Sequence, residues 1–433
     1  MSNPAHIHHH LSYPPPPLER EGNGEDEGGQ QAAEKPREVL IYFIPGNPGL
    51  IDYYEPFLTT LRELLDTSPS PSSSSASLSS SSSRTATTTG RPRFHIYGQD
   101  LAGFNDGAHR EPFTSRRPPH DLEYQIQHSL AALRRLCFGV PETTAAAAEA
   151  PGQKEPERTS YDEVLLVGHS VGAYIALELC HRVLKASSGI LTPAPAPTST
   201  PSSSAAPSAA QQQHPRLDAA VLLFPTIEHI ARSPSGWKLD LLRRTPVLGA
   251  RAHRVARGFL GLWPAGALRW FVGRVLGFPP PAAAATARWL KTPDGVWQAL
   301  HMGMDEMRVI GEARWDDELW GVVAVDRQAA AAQKQDQNQE QQQTPDREVT
   351  ATTTTTTTTT KTMTPRFYFF FGRDDHWVAT HHRDEFIRRR QRQVERTRVV
   401  VDESDIPHAF CINHSEPVAE KAHVWIKEMY GVQ

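Results

Sequence analysis

Short apolar runs separated by longer amphipathic stretches organise this chain. Residues 39–44 (VLIYFI), 94–97, 164–167, 217–224 (LDAAVLLF), 367–371 (FYFFF) and 399–401 are rich in β-branched and aromatic residues and have the length of strands. Between them the apolar positions recur at helical spacing. Tyr53, Tyr54, Phe57, Leu58, Leu61 and Leu64 form one such set, and Leu122, Ile126, Leu130 and Leu133 form another on residues 120–136. Ala173, Ile175, Ala176 and Leu179 follow the third run, and Val418, Ala422, Trp425, Ile426 and Met429 mark a last helix over 416–430. Strands alternating with helices predict an α/β fold with a mostly parallel central sheet.

Residues 237–320 break that rhythm. In 237–278, apolar residues including Phe259, Trp263, Trp270 and Phe271 are interleaved with Arg243, Arg244, Arg251, Arg254, Arg257, Arg269 and Arg274, and Asp240 is the only acid. Breaks are expected near Pro246, Gly258, Gly261 and Pro264. Arginine-studded helices with Trp and Phe fit a segment lying in a membrane interface. They fit equally a helical cap that buries its apolar side on the core. Residues 289–320, with Trp297, Leu300, Met304, Met307 and Ile310, continue the helical cap.

Composition narrows the domain. Of 433 residues only 38% are hydrophobic, because Ser, Thr, Gln, Ala and Pro crowd into biased tracts. Residues 1–36 are expected to be a disordered tail whose His6, His8, His9 and His10 are solvated, and low-complexity insertions are expected over 67–91, 141–159, 187–215 and 327–364. Roughly 300 residues remain, enough for a single large domain over 37–433. A net charge of -4 points away from nucleic acid. Cys137, Cys180 and Cys411 have neither metal-site nor disulfide spacing, so no metal is expected. The N-terminus carries no apolar signal region, and no window has the apolar length of a spanning helix.

The candidate chemistry begins at Gly168-His169-Ser170-Val171-Gly172, a G-x-S-x-G between a strand and a helix. Gly168 and Gly172 remove Cβ atoms where a tight turn would make them collide. Ser170 then stands over the first N–H groups of the helix, where positive partial charge favours an oxyanion. Serine is a poor nucleophile without a base, and histidine, with a pKa near about 6.5, takes and returns a proton at neutral pH. His408, between the last strand and the last helix, is the expected base, ahead of His376, His414 and His423. Asp374 and Asp375 both follow the aromatic strand as candidates for the acid that orients it. Position favours Asp375, which reaches past the turn from Gly372. Ser, Asp and His in that order, each after a strand, is the α/β-hydrolase order. The oxyanion donors are expected to be the backbone N–H groups of Val171 and of Asn47, in the Pro45-Gly46-Asn47-Pro48-Gly49 loop. Asp100 is read as structural, and His229 as lining or supporting the site.

These blocks resemble one family. The segments IPGNPGLIDYYEPF (44–57), GHSVGAYIALEL (168–179), LLFPTIEHIARSPSG (222–236), FGRDDHW (371–377) and IPHAF (406–410) are similar to the lipid droplet-associated hydrolases, a branch of the α/β-hydrolase superfamily. The resemblance puts the nucleophile on Ser170, the base on His408 and the acid, in a G-x-x-D-x-W context, on Asp375. His376 departs from it, since a Pro is expected there, as do the Ser, Gln and Thr tracts. It implies a cofactor-free serine hydrolase on the cytosolic surface of lipid droplets and the endoplasmic reticulum, acting on sterol or acylglycerol esters. A non-catalytic droplet-binding or scaffolding protein, and an acyltransferase using the same residues, are the alternatives.

Overall fold

The computed structural model describes residues 10–14, 36–67, 92–104, 112–139, 160–193, 214–321, 364–391 and 396–432. Seven strands form one sheet: β1 (His10–Tyr13), β2 (Arg37–Ile44), β3 (Pro92–Gln99), β4 (Glu163–His169), β5 (Arg216–Leu223), β6 (Arg366–Gly372) and β7 (Thr397–Asp402). Their spatial order is β1-β3-β2-β4-β5-β6-β7, with β1 antiparallel and every other pair parallel. The central strands β2, β4, β5 and β6 are apolar on both faces because helices cover both. The outer strands β3 and β7 are less completely buried.

Helices α1 (Glu55–Asp66), α2 (Leu122–Phe138) and α3 (Val171–Ser187) connect the first half of the sheet. The second half carries α9 (Thr380–Arg390), the single turn α10 (Phe410–Asn413) and α11 (Ser415–Tyr430). Between β5 and β6 the chain leaves the sheet to build a cap from α4 (Gly236–Arg244), α5 (Pro246–Gly261), α6 (Ala265–Arg274), α7 (Pro280–Lys291) and α8 (Gly295–Val309). Side chains tie this cap to the loops after β2 and β3. Tyr53 Oη and Thr286 Oγ1 lie 2.9 Å apart, Phe113 N–H donates to Asp294 at 2.7 Å, and His120 N–H donates to Gln298 at 2.8 Å. Together the parallel sheet, its flanking helices and this inserted cap are the α/β-hydrolase fold.

Four expectations are corrected in detail. Residues 10–13, placed in the tail, form an edge strand. The outer edge of β3 offers unpaired backbone groups that a short polar segment can satisfy without an apolar face, and Thr59 Oγ1 donates to Tyr13 Oη at 3.3 Å. Helix α5 runs through Gly258, since an interior glycine weakens a helix without ending it. The cap helices stop at Val309. The following residues return as loop to the core, where Trp315, Leu319 and Trp320 are buried. The start of the 187–215 tract is packed: Leu191 is buried and Leu217 N–H donates to Gly189 O at 2.9 Å. The remainder of that tract, and nearly all of the other three insertions, lie outside the described residues.

The arginine- and tryptophan-rich segment does not bury its apolar side. Ten of the thirteen exposed large hydrophobic side chains among the described residues lie between Trp237 and Leu276, among them Leu241, Val255, Phe259, Leu262 and Trp270. Leu268 and Val272, one turn apart on α6, face inward. Asp240 is held by Arg243 and Arg244 at 2.8 and 2.6 Å, and no acid among the described residues pairs with Arg251, Arg254 or Arg257. No helix among the described residues is long and apolar enough to cross a membrane.

Candidate active site

Strand β4 delivers Ser170 through a turn with no spare room. A Cβ on Gly168 would lie 2.4 Å from Gly172 O, and one on Gly172 would lie 2.2 Å from Ile44 O. Helix α3 can therefore start against the ends of β2 and β4 only because both positions lack a side chain. Ser170 itself has φ 55° and ψ -123°, a conformation that costs a non-glycine residue about 1–3 kcal/mol. Its N–H is tied across to Leu223 O on β5 at 3.0 Å. Phe224, His229 and Asp405 also have positive φ, so strain gathers in the loops at this end of the sheet.

Those loops bring the distant candidates together. His408 Nε2 lies 2.8 Å from Ser170 Oγ, and His408 Nδ1 lies 2.6 Å from Asp375 Oδ2. Asp375 Oδ1 accepts from Trp377 N–H at 2.8 Å. All three side chains are buried. Burial opposes ionisation of Asp375. The His408 charge and hydrogen bond, with the Trp377 N–H, outweigh it and hold the acid below the usual carboxylate range. Asp374 points elsewhere: it is exposed and accepts from Arg373 Nε at 3.0 Å. The geometry thus separates two neighbours that position in the sequence only ranked.

Val171 opens α3, so its N–H has no helical carbonyl behind it. Among the described residues no backbone carbonyl takes the N–H of Val171 or of Asn47. The Asn47 side chain is committed to the cap, donating to Ala299 O at 3.1 Å and Glu306 Oε1 at 3.0 Å, both on α8. Gly303, on the same helix, makes room for Leu239 of α4, since a Cβ there would sit 2.8 Å from Leu239 Cδ2. Asp100 has the structural role expected, accepting from Ile51 N–H at 2.7 Å. His229 does not line the site. Its N–H donates to Gly311 O at 2.9 Å, its ring packs on His382, and it forms no part of the cavity wall around Ser170.

A second relay runs beneath the first. The His408 carbonyl can only accept, so His169 Nε2, 2.9 Å away, carries a proton. His169 Nδ1 then accepts from Tyr54 Oη at 2.7 Å, and Tyr54 Oη in turn accepts from Gly46 N–H at 3.0 Å. Burial, reinforced by the His408 charge, pushes His169 down to about 3, so it stays neutral and keeps this tautomer. The loop after β2, the residue before Ser170 and the backbone of His408 are thereby one hydrogen-bonded unit. Tyr54→Phe would leave Gly46 N–H and His169 Nδ1 buried without partners. We expect it to cost about 1–3 kcal/mol, read as a lower urea midpoint at unchanged slope. An unchanged midpoint would mean the relay carries no weight.

Ser170 and His408 open into a cavity of about 300 Å³ between core and cap. Asn47, Glu306, Trp289 and Trp377 contribute to its wall. A larger groove of about 730 Å³ runs along α6 and α7 and shares Trp289 with it, but contains none of Ser170, Asp375 and His408. Two residues of the site escape a reading by pattern. Tyr54 counts as one more apolar residue of a helix. Glu306 sits on the buried face of α8, and its one signal is a carboxylate beside Met302 and Met307 at core spacing.

The Lipid-droplet associated hydrolase family matches residues 37–411. A mouse (Mus musculus) protein described as Lipid droplet-associated hydrolase is 25% identical over 217 residues, which is 48% of this chain and 43% of the mouse protein, so the match spans less than half of either. Among solved structures, the peroxisomal alpha-beta-hydrolase of Saccharomyces cerevisiae is similar at 10% identity and a TM-score of 0.44, over 91% of this chain and 77% of its own. A lipase-esterase related protein from Clostridium acetobutylicum is similar at 11% identity and a TM-score of 0.39, over 89% of this chain and 93% of its own. At such scores neither structure bears on what the protein does. The family match takes in the loop of Asn47, the Ser170 turn, the whole cap, Asp375 and His408, and on that extent the chain belongs to the lipid-droplet associated hydrolase family.

Proposed function

We propose that the protein is a serine hydrolase that cleaves carboxylic esters of lipids, sterol or acylglycerol esters, at a lipid-droplet surface through an acyl-Ser170 intermediate. The observation that carries this reading is the continuous chain from Ser170 Oγ to His408 at 2.8 Å and from His408 to Asp375 at 2.6 Å. His408 Nε2 takes the Ser170 proton as Oγ attacks the ester carbonyl. Asp375 keeps the other ring nitrogen protonated and balances the imidazolium. The oxyanion lies against the N–H groups of Val171 and Asn47, where one lost donor typically costs about 10² to 10³ in turnover. His408 then returns the proton to the leaving alcohol oxygen. Water repeats the sequence, giving a proton to His408 and its oxygen to the acyl carbon; His408 returns that proton to Ser170 Oγ as the acyl bond breaks, and the carboxylic acid leaves.

The exposed apolar side chains of α4, α5 and α6 support a lipid surface as the place of work. Trp237, Phe259, Leu262 and Trp270 would enter the acyl boundary, and the unpaired arginines would meet anionic headgroups. The same face favours a second reading, in which the protein is chiefly a surface-binding or scaffolding protein with little turnover. One experiment separates them. Fluorophosphonate labelling and an ester panel, each with and without artificial droplets, are run on the parent, on Ser170→Ala and on a Trp237→Ser/Phe259→Ser/Leu262→Ser/Trp270→Ser variant. The hydrolase reading expects labelling of the parent, none of Ser170→Ala, and droplet binding lost only in the cap variant. A folded parent that is never labelled would leave surface binding alone.

A further inference from the structure

Glu306 stands apart from the wall around it. It is 4% exposed, rises from cap helix α8 and lines the same cavity as Ser170 and His408. Leu239, Phe278 and Trp289 give that wall an apolar character. An ionised carboxylate in such a place needs a cation, and its partner is instead neutral: Asn47 Nδ2, donating to Oε1 at 3.0 Å. Burial first, with the Asp305 charge adding to it, pushes Glu306 up to about 8, against the pull of the Asn47 amide. Its carboxylic-acid form, the one burial favours, has an O–H to give as well as an oxygen to accept. None of the described hydrogen bonds occupies Oε2. Glu306 lines the cavity with Ser170 and His408, so an oxygen that a ligand brings can meet this end of its carboxyl group.

We propose that Glu306 forms a hydroxyl-recognising subsite, whose carboxyl group exchanges hydrogen bonds with a free hydroxyl on the alcohol portion of the bound ester. The proposal rests on the hydrolase reading for the ester itself and narrows it. Partial acylglycerols carry such a hydroxyl. Sterol esters carry none, because their only hydroxyl is the esterified one. A site that hydrogen-bonds a hydroxyl rejects the analogue lacking it, because its own buried group is then left unpaired. A purely structural Glu306, holding Asn47 and nothing else, would treat the two kinds of ester alike.

The test reads binding, so it does not depend on turnover. In full-length Ser170→Ala protein, titration calorimetry compares 1-butyrylglycerol with propyl butyrate, which has the same ester and carries neither a hydroxyl nor an ether oxygen. We expect the diol to bind about tenfold tighter, the worth of one net hydrogen bond. On the same background Glu306→Met brings the ratio to about one. Glu306→Gln, whose amide both donates and accepts, keeps most of the preference. If circular dichroism finds Glu306→Met unfolded, Glu306→Asp replaces it. The shorter side chain withdraws the carboxyl and is expected to lower the ratio. Equal affinities in the Ser170→Ala protein, or a preference that survives loss of the carboxyl, overturn the proposal. Labelling of the parent by fluorophosphonate is read separately. Preference without labelling removes the hydrolase reading and keeps the subsite, and labelling without preference does the reverse.

Discussion

Asp375→Asn is expected to lower ester turnover by about 10⁴, as loss of the orienting carboxylate does in a Ser-His-Asp arrangement. The amide fills the same space but offers His408 Nδ1 either a donor or a weaker acceptor. The imidazole loses the tautomer that presents a free Nε2 to Ser170, and the imidazolium loses its counter-charge. Asp374→Asn changes turnover by less than about threefold, because that side chain is exposed and holds only Arg373, a surface pair worth about 0–1 kcal/mol. Steady-state rates on one soluble ester compare the two, with fluorophosphonate labelling to count intact sites. Equal losses in the two variants, or a larger loss at Asp374, would reject the assignment of the acid. The contrast is informative because the residues are adjacent in sequence and differ only in where the turn after β6 sends them.

Gly172→Ala is expected to be the most damaging single methyl group in the Ser170 turn. Its Cβ would meet Ile44 O at 2.2 Å, Pro45 O at 2.6 Å and Ile44 C at 2.9 Å, all backbone atoms at the end of β2. Backbone cannot rotate away as a side chain can, so α3 or the loop carrying Gly46 and Asn47 must move. We expect a loss of about 3 kcal/mol or more, measured by urea unfolding, together with loss of labelling at Ser170. Gly258→Ala provides the opposite sign. That glycine lies inside α5 with nothing within 4 Å of its added Cβ, so the variant gains about 0.5–1 kcal/mol from helix propensity alone. If the two variants unfold alike, close backbone approach is not what Gly172 provides.

Much of the sheet was legible as apolar runs, because strands buried on both faces must be apolar throughout. The run 164–167 grew only to Glu163–His169, and 367–371 only to Arg366–Gly372. The edge strand His10–Tyr13 was not legible. Its place depends on backbone pairing to β3, which leaves no periodic trace in four residues. The cap was legible as helical and as unusual. Which of its residues face water was not, since an apolar side chain reads the same whether it packs inward, like Leu268, or stands exposed, like Trp270.

The sequence by itself determined the order of the chemistry, with serine, acid and histidine each after a strand, and the two glycines without which the Ser170 turn could not close. Those follow from local rules: strand length, turn sterics and the need of a serine for a base. Only the tertiary structure put Asp375, and not Asp374, within hydrogen-bond reach of His408. It joined Gly46, Tyr54, His169 and His408 into one hydrogen-bonded unit, and it set Glu306 as a buried acid in the cavity wall. These depend on distances between residues 8 to 259 positions apart and on the water that folding removes from around them. Neither quantity exists until sheet and cap have closed on one another.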